Sequence, residues 1–565
     1  MSDNRAQLDR ASALTGLLVV LAANALYLAG LSTILDPMLS TDPYYIRLAR
    51  EPLAQLLRED PAWGPLYALW LKLFTLALAD PLAVYAANLC ALSLAVCVAL
   101  YGYVLLLTRR AAVAVGSALF FLISDFNVPL ANKVGAFVLL ILLAGLSAAE
   151  CVAGAARRSA VLAAAVLLAA YARPELYPAA VALCLASVWL AIRDVWRRSD
   201  AAVGRRSPGR AVLCWPAGAI AVLGLAAGAI GTPLGRPQPG DSRLFIAFRE
   251  HFAWNWNDWQ GDWRPFEEAW QAAFGSAHSV GDAWRANPIA VLHHLADNLL
   301  GALRFLAGSA FDHYPVLVAA EWPDLTRAEN WLVAAGAVGS LILVAGRATW
   351  RRQMAERYGH LWLPYAVLTA CSLGAATLIY PISHYLLVAA VLLLIAAALA
   401  ASVLLPTGAA PVGWVVRVGA ALACLAAVPR PFILPSAYVV AGAPFKADLR
   451  VSRPIADTVA VIRGLGLPAP VQVLTLTDGL GDLLGPGFHE VKLWAKEPRQ
   501  SLADYIWEQR IDVIFSPDSA HDSFFVVDDY WRLIQTQPEQ AGFNLVPVPG
   551  NARVRVYVRS AFRRD

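Results

Sequence analysis

Long apolar stretches recur along the first 430 residues of the chain. A membrane-spanning helix needs about 20 mostly apolar residues, and eleven stretches approach or reach that length. They lie at residues 11–31, 83–107, 111–124, 134–152, 159–172, 177–193, 211–233, 329–346, 361–380, 385–405 and 411–428. Two more, near 65–79 and 289–310, are either spans or helices in the membrane interface. The pattern predicts a mainly α polytopic membrane protein with about 11–13 transmembrane helices.

The pattern changes after residue 430, where turn-forming residues separate short segments of alternating polarity. Residues 471–476, 511–515 and 554–558 predict strands, and residues 500–510 and 527–537 predict helices. We therefore expect two domains, a transmembrane domain at 1–430 and an extracytoplasmic α/β domain at 431–565. Residues 477–482 invite comparison with a phosphate-binding loop, but the lysine and spacing of a Walker loop are missing, so a strand-to-helix turn is predicted.

The arginines predict the orientation of the spans, because cytoplasmic loops are enriched in Lys and Arg. They fall in alternate gaps: Arg5 and Arg10, Arg109 and Arg110, Arg157 and Arg158, Arg193 to Arg210, and Arg347 to Arg357. If these gaps are cytoplasmic, a first outer loop (32–82), a large outer loop (234–328) and the C-terminal domain face outward. Eight of the nine histidines, all except His360, then lie at or beyond the outer surface.

Composition agrees with a membrane protein and excludes several other classes. Hydrophobic residues make up 59% and charged residues 15% of the chain, against about 45–50% and about 25% in soluble proteins. The net charge is only +4, and no Lys/Arg block is interleaved with aromatic residues, so nucleic acid is not an expected partner. The seven cysteines form no CxxC pair, which argues against a thiolate zinc site or a disulfide framework.

Candidate chemistry is concentrated on the predicted outer face. The first outer loop carries Asp42-Pro43-Tyr44-Tyr45 and then Gly64-Pro65-Leu66-Tyr67, and Arg173-Pro174-Glu175 stands at the outer end of a span. Asp42 precedes a proline, so it is also a plausible cap for an interfacial helix. The three polar segments are nevertheless expected to meet at one membrane surface.

These segments resemble the GT-C glycosyltransferases that use polyprenyl-phosphate sugars, which include protein O-mannosyltransferases and the lipid A aminoarabinose transferase. That family has an Asp-Glu pair followed by an aromatic residue, and then a Pro-Pro-Leu-Tyr-like segment. Here Pro43 replaces the glutamate and Gly64 replaces the first proline. The resemblance covers mainly residues 10–400.

The resemblance implies an inverting glycosyltransferase that moves a sugar from a polyprenyl-phosphate donor to a hydroxyl of a glycan, lipid or protein acceptor. Asp42 would be the catalytic base, with Asp125 as a second acidic candidate or a turn-forming residue. No cofactor is expected; a divalent cation is compatible with the chemistry but is not predicted. Many alanines and arginines and few lysines indicate a bacterium, hence a multi-pass protein of the plasma membrane, surrounded by membrane lipid. Its active site would be periplasmic, and we expect a monomer.

The donor phosphate requires cations near the membrane surface. Arg173 follows fourteen uncharged residues, and an arginine so close to hydrocarbon is costly unless it is paired or functional. It is therefore either neutralised by Glu175 or a ligand of the phosphate. His384 is a second candidate phosphate ligand, or else an interfacial histidine with a satisfied ring. Further substrate contacts are assigned to Tyr45, Tyr67, Glu175, Arg249, His251 and Tyr385.

The large outer loop contains six of the nineteen tryptophans. They are Trp254, Trp256, Trp259, Trp263, Trp270 and Trp284. Tryptophan favours membrane interfaces, so the loop predicts an anchoring belt, a platform for a sugar or prenyl group, or both. His293, His294 and Asp297 are not expected to bind a metal, because adjacent histidines point to different helix faces.

Three other functional classes remain open. A lipid-glycan transporter would carry charged residues along a path across the bilayer, whereas here they lie mainly at the ends of spans. A lipid-linked glycan polymerase would use a diphosphate donor, and its large outer loop would look similar. A receptor or scaffold would leave Asp42 and Arg173 replaceable.

Overall fold

The computed structural model describes the larger part of the chain. The described residues are 10–29, 36–37, 39, 42–58, 64–122, 127, 133–201, 209–235, 243–261, 264–306, 348–404, 453–475, 478–493, 496, 500–517, 528–551 and 554–562. The predicted spans at 329–346 and 411–428 lie outside them, as do Asp125 and Trp263.

The N-terminal region is helical throughout the residues described. Its helices are α1 (Arg10–Leu28), α2 (Asp42–Arg50), α3 (Leu53–Leu56), α4 (Pro65–Thr75), α5 (Pro81–Thr108), α6 (Ala111–Leu122), α7 (Lys133–Glu150), α8 (Ala155–Ala170), α9 (Tyr177–Ala201) and α10 (Gly209–Ile230). The large outer loop contributes α11 (Arg243–Gln260), α12 (Phe266–Phe274), α13 (Val280–Ala286) and α14 (Pro288–Leu306). Next come α15 (Ala348–Tyr358), α16 (Trp362–Leu378) and α17 (Ser383–Leu404).

Six helical stretches within the described part are long and apolar enough to cross a membrane. They are Arg10–Leu28, Pro81–Thr108, Lys133–Glu150, Pro174–Trp196, Trp350–Leu378 and His384–Leu404. The shorter helices α6 and α8 also fall on predicted spans, and so does α10. The stretch near 65–79 is the eleven-residue helix α4, which is too short to cross a membrane. This length favours the interfacial interpretation.

The core of this region forms where small residues let the helices approach. Helix α5 buries Val84, Asn88, Leu92, Val96 and Leu100, a spacing of four that places them on one helical stripe. Helices α7 and α8 pack so closely at Gly145 that any side chain there would overlap Ala165. Close backbone approach at small residues is typical of membrane helices.

The large outer loop folds around its own aromatic core, in which some of its tryptophans are packed. Phe248, Phe252 and Trp270 are buried together between α11, α12 and α14, and the Trp270 indole donates to the Ala277 carbonyl at 3.0 Å. Trp254 and Trp284 remain 43% and 46% exposed, as an interfacial residue would be. The loop is thus a helical subdomain in which several aromatic residues serve packing.

The C-terminal region is an α/β domain built on a five-stranded sheet in the order β2-β1-β3-β5-β4. Strands β1 (Val471–Thr475), β3 (Val513–Ser516) and β5 (Arg555–Arg559) confirm the predicted strands, while β2 (Phe488–Lys492) and β4 (Phe543–Pro547) were not predicted. Strands β2, β1 and β3 are parallel, and β5 pairs antiparallel with β3 and β4. The accompanying helices are α18 (Pro454–Gly464), α19 (Leu480–Leu484), α20 (Leu502–Glu508) and α21 (Asp529–Thr536).

The fold class predicted from the sequence is confirmed: a multi-span helical region is followed by an α/β domain. The predicted boundary near residue 430 lies outside the described residues. The glycine-rich segment before α19 is a strand-to-helix turn, as expected. The carboxylate of Glu490 accepts hydrogen bonds from the Gly479 amide at 2.8 and 2.9 Å, so a side chain of the domain itself fills the place that a phosphate would need.

Candidate active site

Asp42 is the first residue of α2 and lies in a buried ion pair. Its carboxylate accepts a hydrogen bond from the ammonium of Lys133, and the two side chains are only 7% and 4% exposed. Lys133 opens the spanning helix α7. This contact joins residues 91 positions apart in the sequence. A carboxylate that only caps a surface helix does not need a buried lysine as its partner, so capping alone does not explain Asp42. Lys133 was not predicted from the sequence.

An aromatic wall surrounds this pair. The Lys133 ammonium lies 4.4 Å from the centre of the Tyr85 ring, which is a cation–π distance. The Tyr67 hydroxyl accepts a hydrogen bond from the Asn88 amide at 2.9 Å, and the Trp70 indole donates to the same amide group at 2.7 Å. Burial and the nearby Asp42 carboxylate hold the pKa of Tyr67 well above its usual range, so Tyr67 stays neutral and acts through hydrogen bonding.

The structure brings together the three polar segments singled out in the sequence. The rings of Tyr45 and Tyr67 meet edge to face with their centres 5.0 Å apart. Gly64 has a positive φ of 75°, and a Cβ built there would lie 3.0 Å from the Ala172 carbonyl and 3.2 Å from the Tyr45 hydroxyl. Glycine therefore permits both the turn and the close approach to the residue that precedes Arg173.

Arg173 provides a buried cation with an unused donor. It is 8% exposed, its Nε lies 2.5 Å from the Glu175 carboxylate, and its guanidinium lies 4.9 Å from the centre of the Tyr385 ring. Its Nη2 is buried and has no hydrogen-bond partner among the described residues. A buried donor left unpaired is costly, and an anionic ligand would satisfy it.

Two further groups, Arg243 and His384, lie beside Arg173. Arg243, at the start of α11, makes a side-chain hydrogen bond with Tyr45 and interacts electrostatically with Glu175 and Tyr385. His384 lies within electrostatic range of Arg173, Arg243 and His251. Arg243 was not predicted from the sequence, because nothing in the loop sequence indicates which of its arginines faces the spans.

His251 lies at the edge of this group and is neutral. Its ring stacks on Tyr380 with the centres 5.3 Å apart, and its Nδ1 donates to the Ala247 carbonyl at 2.7 Å. Burial lowers the pKa of His251 below its usual value. A neutral ring next to several cations adds no further repulsion.

Arg249 does not join the site, although the sequence suggested a substrate contact. Its guanidinium lies 3.1 Å from the Glu267 carboxylate and near the rings of Phe245 and Phe266. It thus belongs to the surface of the outer-loop subdomain. An ion pair between two different helices of the loop, 18 positions apart, has no recognisable sequence signal.

His293 and His294 have different environments, in agreement with their adjacent positions on a helix. His293 stacks on Trp259 with ring centres 3.9 Å apart. His294 is fully buried, accepts from the Asn255 amide at 2.9 Å and donates to the Leu378 carbonyl at 3.2 Å; burial lowers its pKa to about 4. Within the described part of the chain, no group of three or more His, Cys, Asp or Glu side chains is arranged to hold a metal ion.

The arrangement suits one type of chemistry. Lys133 is paired with Asp42, whereas Arg173 and Arg243 both lie near the single carboxylate of Glu175. The second group therefore carries an excess positive charge, which favours an anion. A carboxylate in such a position accepts a proton from a hydroxyl, and guanidinium groups bind phosphate through planar, paired donors. Both functions lie at the ends of membrane-spanning helices.

Comparison with known proteins gives similarity in structure and none in sequence. No model of a protein family matches the chain, and no curated protein sequence does either. Among solved structures, the chain is similar to "Crystal Structure of ArnT from Cupriavidus metallidurans in the apo state", with 14% identity and a TM-score of 0.37, over 98% of this chain and 100% of that one. Functional interpretation therefore depends on the side chains of the site.

Proposed function

We propose that this protein is an inverting glycosyltransferase of the GT-C type, which transfers a sugar from a polyprenyl-phosphate carrier to an acceptor hydroxyl. The observation that carries the proposal is the meeting of three outer segments around Tyr45. The buried carboxylate of Asp42 belongs to the same helix as Tyr45. The buried guanidinium of Arg173, with an unpaired donor, follows Ala172, which Gly64 approaches together with Tyr45. The sequence resemblance to the GT-C family supports the same conclusion.

The reaction requires a base and an anion site, and the chain supplies both. Asp42 takes the proton of the acceptor hydroxyl while that oxygen forms a bond to the anomeric carbon. The bond between the anomeric carbon and the phosphate oxygen breaks, and the phosphate leaves with the electron pair. Arg173 and Arg243 stabilise the charge on the departing phosphate. Because attack and departure occur on opposite faces of the sugar, the anomeric configuration inverts.

The membrane helices explain why the donor would be a lipid. The prenyl chain lies between apolar helices, and its charged head reaches the buried polar group at their ends. The buried charged residues of the described spans, Lys133 and Arg173, lie at or just before the start of a helix rather than along its middle. A transporter would need polar groups along the whole path, so the enzyme is favoured over the transporter.

The test of the donor site is substitution of Arg173. Arg173→Ala should weaken binding of a polyprenyl-phosphate sugar by about tenfold to a hundredfold, because a charged hydrogen bond is lost. Arg173→Lys should recover only part of the affinity, since lysine lacks paired donors. Binding is measured on folded protein in nanodiscs, with phosphate and diphosphate donors compared.

Arg249→Ala is the matched control, because Arg249 is also a partly buried arginine with a carboxylate partner but belongs to the outer-loop subdomain. It should bind the donor as the wild type does. Unchanged donor binding by a folded Arg173→Ala variant would remove Arg173 from the site. Preference for the diphosphate donor would favour the polymerase.

The proposal also places the site on the periplasmic face of a bacterial plasma membrane. In a cysteine-free background, single cysteines at Ser276 and Ser501, which are exposed in the large outer loop and the C-terminal domain, should react with a membrane-impermeant maleimide in spheroplasts. A cysteine at Gln353, exposed on α15, should react only after lysis. The reverse pattern would place the site in the cytoplasm.

A further inference from the structure

The C-terminal α/β domain contacts α2 directly beside Asp42. Gly479, in the turn before α19, has a φ of 106°, and a Cβ built on it would lie 2.7 Å from the Cβ and Cγ atoms of Pro43. Only a residue without a side chain can approach Pro43 in this way. On the next turn of α2, Arg47 and Asp482 of α19 form a looser ion pair of 3.8 Å.

A second contact joins the domain to the start of the first outer loop. The buried carboxylate of Asp36 accepts hydrogen bonds from the Ala456 amide at 2.7 Å and the Ile455 amide at 3.1 Å, in the first turn of α18. It thereby satisfies amides that have no partner within the helix. Burial raises the pKa of Asp36 to about 6, although the two amide bonds act to lower it. An uncharged side chain with one acceptor oxygen would therefore also suit position 36.

Asp36 also connects to the proposed catalytic pair. The Tyr85 hydroxyl donates to the Asp36 carbonyl at 3.0 Å, and the face of the same tyrosine ring holds the Lys133 ammonium. Lys133 in turn pairs with Asp42. Each step of this route is a direct contact, from the amides of α18 to the carboxylate of Asp42.

Further contacts hold the domain in this position. The guanidinium of Arg463 on α18 lies 2.9 Å from Asp80, which caps α5. Leu39 and Leu82 of the membrane region pack against the apolar core of the domain. Helix α2 is thus held between α4 and α5 on one side and the α/β domain on the other.

We propose that the C-terminal domain is a positioning element for the transfer reaction, in which Asp36 and Gly479 fix the place of α2 and of the Asp42–Lys133 pair. This inference rests on the proposed function, because it assigns Asp42 a catalytic role. Asp36 and Gly479 are positioning residues and do not touch the substrate. The domain therefore acts on the rate of transfer rather than on donor binding.

The experiment uses the full-length protein with Asp36→Ala and Gly479→Ala as test variants. Each should lower kcat by about tenfold to a hundredfold, since a shift of about 1 Å in a catalytic group has effects of this size, with little change in the KM for the donor. Hydrogen exchange at the amides of residues 42–50 should become faster in both variants. This second readout does not require activity.

Two matched controls separate positioning from general damage. Asp36→Asn keeps an acceptor for the α18 amides and should behave as the wild type does. Gly550→Ala introduces the same kind of backbone strain, at a φ of 76°, but no atom lies within 4 Å of the added carbon, so α2 should be unaffected.

Normal kcat in both test variants would overturn the inference, and so would a loss of rate without faster exchange in α2. Should Asp36→Ala not fold, Gly479→Ala decides alone. If the wild type transfers no sugar, the proposed function has failed. In that case hydrogen exchange still tests the positioning. If α2 exchanged in Gly479→Ala at the wild-type rate, the positioning would be overturned as well, whereas faster exchange would support it.

Discussion

The double variant Asp42→Asn/Lys133→Gln is expected to transfer sugar about 10²–10⁴-fold more slowly than the wild type, because removal of a general base commonly costs this much. Donor binding should be retained in large part, since Arg173 and Arg243 are unchanged. Transfer from a radiolabelled polyprenyl-phosphate sugar in reconstituted vesicles measures the first quantity. Equilibrium binding of the same donor measures the second.

Both residues are changed because of the buried ion pair. From the sequence alone, asparagine at position 42 is expected to preserve folding, since asparagine caps helices as well as aspartate does. The structure corrects that expectation, because Asp42→Asn alone leaves the Lys133 ammonium buried without its counter-charge. A neutral Asn–Gln pair removes both charges and can still form a hydrogen bond between the two side chains. The variant therefore removes the base without leaving an unpaired buried charge.

Glu267→Gln is the control, because it makes the same carboxylate-to-amide change in an ion pair outside the site. It should transfer sugar at the wild-type rate. If the double variant retained activity within about threefold of wild type, Asp42 would not be the base, since even weak general bases contribute more. Asp125 would then be the next candidate, because Asp36 is occupied by the α18 amides.

The parts of the fold with a strong periodic signal were predictable from the sequence. Long apolar stretches identified the spans, and alternating residues identified β1, β3 and β5. Strand β2 was missed because Phe488–Lys492 is only partly buried and carries polar residues on both faces. Strand β4 ends in a proline and has an equally mixed pattern. Edge strands of a sheet need fewer apolar residues, and these two lie at its edges.

The site was predictable only where its residues came in short motifs. Asp42, Tyr45, Tyr67 and Arg173 stand in segments with recognisable neighbours, and the structure places these segments together. Lys133 and Arg243 have no such neighbours. Lys133 did leave one signal, since it is a lone charge at the edge of an apolar stretch, and an ionisable residue in that position is costly without a partner. Its partner, 91 residues away, required the fold.

Changing only one residue of the Asp42–Lys133 pair should destabilise the protein strongly, whereas replacing both charged residues should change its stability little. Lys133→Gln leaves the Asp42 carboxylate buried with no counter-charge, and we expect it to lower the free energy of unfolding by about 3–5 kcal/mol. Asp42→Asn alone should lower the free energy of unfolding by a similar amount, because it leaves the Lys133 ammonium buried without a counter-charge. In the double variant no charge is buried, so most of that loss should be regained.

Chemical unfolding of the wild type, the two single variants and the double variant in mixed detergent micelles gives the coupling free energy between the two positions. A double variant about as stable as the wild type shows that the charges do not serve stability. Combined with its loss of transfer, that result means that Lys133 is present to keep an ionised carboxylate at the membrane edge, where an isolated one would not persist. If the stability loss of the double variant instead equalled the sum of the two single losses, Asp42 and Lys133 would act separately. The catalytic pair would then have to be abandoned.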